Sequence, residues 1–94
     1  MELVYKPPFH HFVKKQPRPF ALALRDETLK VINQPDLGEA KVGDLAGIRV
    51  HKFTFNRQQY LMAYRQTEDI LTFYLVGSHE NFYDELKRYL KANK

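Results

Sequence analysis

Two groups of residues carry the chemistry open to this sequence. The first is Arg49, Lys52 and Arg57, with His51 among them, in a stretch from 47 to 66 that holds four basic residues and no acid. The second is His79, which follows Gly77 and Ser78, with Tyr83 four residues further on. These are the groups that handling a phosphodiester requires. Cations stabilise the charge that develops on a pentavalent phosphorane, while an imidazole and a phenol can take or give protons. A vicinal hydroxyl could serve as nucleophile, so such a site needs no metal and no cofactor. Each residue also has a plainer use. Lys and Arg protect exposed strand edges, a histidine before a helix can make a local hydrogen bond, and Tyr83 could sit in the core with its hydroxyl at the rim.

Other chemistries fit poorly. There is no cysteine, which removes thiolate metal sites and disulfides. His10 and His11 are adjacent and lack a spaced carboxylate or third ligand, so no metal site is expected. Glu80, Asp84 and Glu85 read as helix-dipole partners on a solvated face, and no nucleophile–histidine–acid triad is apparent.

Ninety-four residues at 44% hydrophobic content make one domain, 1–94, near the lower size limit for a single apolar core. The net charge is +4, concentrated in the 47–66 stretch, which points to a basic face and a polyanionic partner. MELVYKPP has no long apolar segment and no run approaches a membrane span, so a cytoplasmic protein without membrane contact is expected.

The elements that must position these groups follow from periodicity. Leu3 to Lys6 is a short strand ended by Pro7-Pro8. Phe9, Phe12 and Val13 at i, i+3, i+4 mark a helix, broken by Pro17 and Pro19. A second helix runs from about Phe20 to Asn33. Residues 35–46, with two glycines, a proline and three acids, read as a long surface loop. Gly47 to Asn56 is the second strand. Its apolar parity switches between Val50 and Phe53, which predicts a bulge at His51-Lys52. A hairpin at 56–59 leads to strands at 60–64 and 70–76, both apolar on each parity and therefore central. Gly77 should end the last strand and Ser78 cap the final helix, placing His79 in its first turn, where free backbone N–H groups attract anions. The expectation is an α+β fold, β-α-α-β-β-β-α. Its four-stranded, mostly antiparallel sheet has order 2-3-4-1, with an N-terminal helical hairpin on one face and a C-terminal helix.

With this element order, the stretch GDLAGIRVHKF, the hairpin into YLMAY and the ending LVGSHENFYDELKRYL, the sequence resembles the RelE/ParE toxins of bacterial toxin–antitoxin modules. The resemblance covers essentially the whole chain and is strongest from Leu45 to Leu90. It implies a toxin neutralised by an antitoxin encoded beside it. RelE-type members cleave mRNA on the ribosome without metal, by attack of a ribose 2′-hydroxyl on the adjacent phosphate. ParE-type members poison DNA gyrase. By this resemblance Lys52 falls on the strand where RelE-type nucleases keep a basic residue. His79 falls where the family carries a catalytic arginine or histidine, and Tyr83 near a tyrosine those enzymes use. Thr54 and Leu61 depart from the pattern, standing where RelE-type enzymes often have lysine and arginine.

Overall fold

The computed structural model describes residues 1–93. In chain order the elements are β1 (Glu2–Tyr5), α1 (Pro7–Lys14), α2 (Arg18–Asn33), β2 (Glu39–Ala40), a 3₁₀ turn (Gly43–Leu45), β3 (Arg49–Phe55), β4 (Gln58–Thr67), β5 (Ile70–Ser78) and α3 (Phe82–Ala92). The sheet has five strands in the order β1-β5-β4-β3-β2, so the expected four-strand sheet is corrected at one edge. The extra strand is the pair Glu39–Ala40, antiparallel to Val50 and Arg49. It lies inside the stretch expected to be a loop, because two residues are too few to show a period. Only β1 runs parallel to its neighbour, β5.

The two faces of the sheet are covered by different helices. Phe9 of α1 and Phe20, Leu24 and Val31 of α2 pack with Phe53, Met62, Tyr64, Leu71, Phe73 and Val76. On the opposite face Phe82 and Leu86 of α3 pack with Ile48, Val50, Leu61, Ala63, Tyr74 and Leu75. In both helix groups the buried side chains recur at helical spacing, which is why one stripe of each meets the sheet. Prolines set the starts: Pro7 and Pro8 open α1, and Pro19 lies in the first turn of α2, where a missing N–H costs nothing.

Double coverage explains the parity switch in β3. Val50 points to the α3 side and Phe53 to the helix-pair side, and β3 pairs with β4 without interruption from Arg49↔Tyr64 to Phe55↔Gln58. The bulge expected at His51-Lys52 is therefore absent. The irregularity lies instead in the β4–β5 ladder, where Ala63 pairs with Leu75 and Tyr64 with Phe73, leaving Tyr74 as the extra residue. A bulge turns two successive side chains to one face, and Tyr74 and Leu75 both join the α3-side core. The β3–β4 hairpin turns through Asn56 and Arg57, both at positive φ (49° and 67°), as a two-residue turn compatible with strand twist demands.

Candidate nucleic-acid interface beside the last helix

Gly77 does not end the last strand, and Ser78 is not the helix cap. Both belong to β5, and α3 begins at Phe82 after Asn81, whose left-handed backbone (φ 61°) turns the chain. Asn tolerates that conformation because its short side chain is polar and unbranched at Cβ. His79 thus stands in the connection between strand and helix, exposed, rather than in the helix's first turn. The expected anion site at the helix N-terminus does not hold for it.

What His79 does meet is Tyr83, in the first turn of α3. Their rings stand edge to face with centroids 6.3 Å apart. Tyr83 is half-buried against the α3-side core, which fixes its ring while His79 projects. Lys52 is on the same side of the sheet. It pairs across the ladder with Leu61, which pairs with Gly77, so the three form one row across β3, β4 and β5. Two strand spacings put Lys52 and Gly77 about 10 Å apart at Cα. Leu61 is fully buried and Gly77 has no side chain, with open space where a Cβ would be. Of this row only Lys52 therefore offers a charged side chain to the surface.

The stretch read as a surface loop supplies two further charged groups. The Lys41 ammonium lies 5.2 Å from the centroid of the Tyr83 ring and is ion-paired with Glu39. Glu39 pairs with Val50 in the β2–β3 ladder, so its side chain lies on the α3 side. The hydrogen bond from Lys41 holds the Glu39 carboxyl below its usual range, helped by the charges of Lys41 and Lys52. That carboxylate in turn raises Lys41 above the usual lysine range, against the opposing effect of partial burial. His79, Tyr83, Lys41, Glu39 and Lys52 thus border one patch. Lys41 escaped the sequence reading because strand pairing, not spacing, brings it here. The unusual length of the 35–46 connection was the available signal.

Arg49 and His51 are not part of this patch. Strand alternation puts them on the opposite face, and both are engaged there. Arg49 Nη1 donates to the carbonyls of Gly38 (2.7 Å) and Asp36 (3.2 Å), pinning the chain that leaves α2. His51 Nε2 is 2.8 Å from Glu27 Oε1 of α2, with only 11% of its side chain exposed. The expectation that they join Lys52 in gripping a phosphate is corrected for this reason. Arg57 occupies the exposed hairpin tip, at the end of β3 away from Arg49. Among the described residues no three His, Asp or Glu side chains gather as a metal would require, and no helix is long and apolar enough to cross a membrane.

Residues 3–87 match the family model of the ParE-like toxin of type II bacterial toxin–antitoxin systems. In structure the chain is similar to a chain of the intact E. coli RelBE toxin–antitoxin complex, with a TM-score of 0.65 at 15% identity over 84% of this chain and 96% of that one. It is also similar to the isolated E. coli RelE toxin, with a TM-score of 0.63 at 15% identity over 94% and 97% of the two chains. At that identity the likeness establishes a common fold. No curated protein sequence matches the chain.

Proposed function

The chain belongs to the ParE-like toxins of type II bacterial toxin–antitoxin systems, and from that premise we propose that it is a metal-independent endoribonuclease acting on mRNA at the ribosome in the cytoplasm. The observation that carries this reading is the patch itself: an exposed imidazole, a phenol fixed by the core and the Lys52 cation border one face beside α3. In the reaction the ribose 2′-oxygen attacks the adjacent phosphorus and the P–O5′ bond breaks. The 2′-proton passes to a base and the departing 5′-oxygen receives a proton, leaving a 2′,3′-cyclic phosphate and a 5′-hydroxyl. His79 and Tyr83 are the groups for the two proton transfers, and Lys52 offsets the charge on the phosphorane. Arg57, exposed at the hairpin tip, is the remaining candidate for a flanking phosphate.

The antitoxin encoded beside the toxin is the expected partner and would be acidic where it covers this surface. The test is in vitro cleavage of mRNA on programmed ribosomes. His79→Ala and Lys52→Ala should each lower the cleavage rate by about 100-fold or more, the scale of a lost proton-transfer or electrostatic group, while their melting temperatures stay near wild type. Cleavage that survives both substitutions would remove the reading.

A second reading, inhibition of DNA gyrase without nuclease activity, is favoured by Leu61 and Thr54. Neither adds a cation to the row that Lys52 occupies, and Leu61 is fully buried. It predicts intact mRNA on ribosomes and loss of gyrase supercoiling activity in the presence of the toxin.

A further inference from the structure

A phosphodiester approaching the surface over the row Lys52–Leu61–Gly77 meets a single cation from the sheet, because Leu61 is buried and Gly77 has no side chain. A phosphorane carries more than one negative charge, so one exposed lysine leaves much of it unbalanced. The cation seated at the other margin is Lys41. Its ammonium is held over the Tyr83 ring, only 20% of its side chain is exposed, and the β2 pairing fixes the backbone just before it. It is therefore pre-positioned, unlike a lysine free to sample solvent.

Its present partner is also informative. Glu39, 66% exposed at the side chain, is ion-paired with Lys41 and also feels the charge of Lys52. A carboxylate there stands where a phosphate oxygen would balance the same two cations. We propose that Lys41 is a phosphate-binding residue of this site, paired with Lys52, and that Glu39 is an internal counter-ion that single-stranded RNA displaces. This deepens the nuclease reading and rests on it for the identity of the polyanion as RNA. Binding then exchanges one anion for another: Lys41 leaves Glu39 for a phosphate oxygen without leaving Tyr83. Glu39 lowers affinity for nucleic acid and keeps the two ammonium groups from repelling one another in the empty site.

The test is the salt dependence of binding to a 2′-O-methylated, and so uncleavable, single-stranded RNA oligonucleotide by the antitoxin-free toxin. Lys41→Met should reduce the slope of log affinity against log salt by about 0.7, the value for one phosphate contact on a single strand. Lys41→Arg should restore it. Glu39→Gln should tighten binding severalfold at low salt. The Glu39→Gln/Lys41→Met double variant should keep the reduced slope, which separates loss of Lys41 from release of Glu39 onto Lys52. Melting temperatures near wild type for all four would show that the fold is not the cause. An unchanged slope in Lys41→Met overturns the proposal, as does failure of Lys41→Arg to restore it. The same holds if Lys41→Met weakens only capture of the antitoxin, which would mark the patch as a protein contact. If the wild type binds the oligonucleotide with these responses but leaves mRNA on ribosomes uncut, the nuclease reading falls and the phosphate contact stands. If it binds no RNA, both fall.

Discussion

Replacing Tyr64 by phenylalanine tests how the core holds the outer margin of the site. Tyr64 is fully buried on β4, and its ring packs 6.0 Å from Phe73. Its hydroxyl donates to the Pro35 carbonyl at 2.7 Å and accepts the Gly38 N–H at 2.8 Å. Burial raises the phenol above its usual range, and the Gly38 N–H opposes this without cancelling it. Phenylalanine keeps the ring and removes both bonds. The Gly38 amide is then buried without a partner, while the Pro35 carbonyl, less buried, can recruit water. One orphaned donor plus one exchanged acceptor comes to about 2 kcal/mol. For a chain of this size that corresponds to a fall in Tm of roughly 8–16 °C. Calorimetry gives the Tm, and hydrogen exchange at the Gly38 amide reports whether the segment has come loose. Because the segment leads directly into Glu39 and Lys41, the variant should also weaken RNA binding. A Tm equal to wild type with full protection at Gly38 would refute the reasoning. Gly38→Ala approaches the same contact from the other side. An added Cβ would lie 2.7 Å from the Tyr64 hydroxyl and 3.0 Å from the Val50 carbonyl carbon, so a loss of about 1–3 kcal/mol is expected.

Two further outcomes separate structural charges from functional ones. Arg49→Met, which removes both donations to the Asp36 and Gly38 carbonyls, should cost about 1–2 kcal/mol in denaturant unfolding and leave the salt slope of RNA binding unchanged; a reduced slope would return Arg49 to the phosphate contacts. Glu27 is pushed up by burial, but hydrogen bonds and charges from Lys30 and His51 outweigh this and leave its carboxyl below the reference of 4.5. Its stabilising contribution is thus fully present above about pH 4.5 and is lost as pH falls through the lower folded value. The stability gap between wild type and Glu27→Gln, about 1 kcal/mol or less for this partly exposed pair, should close as acid titrates the carboxylate, and no gap at neutral pH would contradict the pairing.

The sequence by itself determined the order of its longer elements. The doubly apolar runs at 60–64 and 70–76 mark strands buried on both faces, and the Ala21, Leu24, Thr28, Val31, Ile32 and the Phe82, Leu86 spacings mark helices that bury one stripe. Both patterns are local, because side-chain direction is set by the backbone period. His79, Lys52 and Tyr83 were legible as candidates for the same local reason, through residue type and a strand-to-helix junction. Parity along β3 already set Lys52 opposite Arg49 and His51 unless a bulge at His51-Lys52 redirected it. Tertiary structure decided that no bulge intervenes, and that Arg49 and His51 face α2 and the post-α2 segment while Lys52 faces the α3 side. Which helix covers which face is a long-range matter that no local period carries. Tertiary structure also decided that Lys41 belongs with Tyr83, since a two-residue edge strand carries no period and its position depends on a pairing with β3 made across the intervening chain.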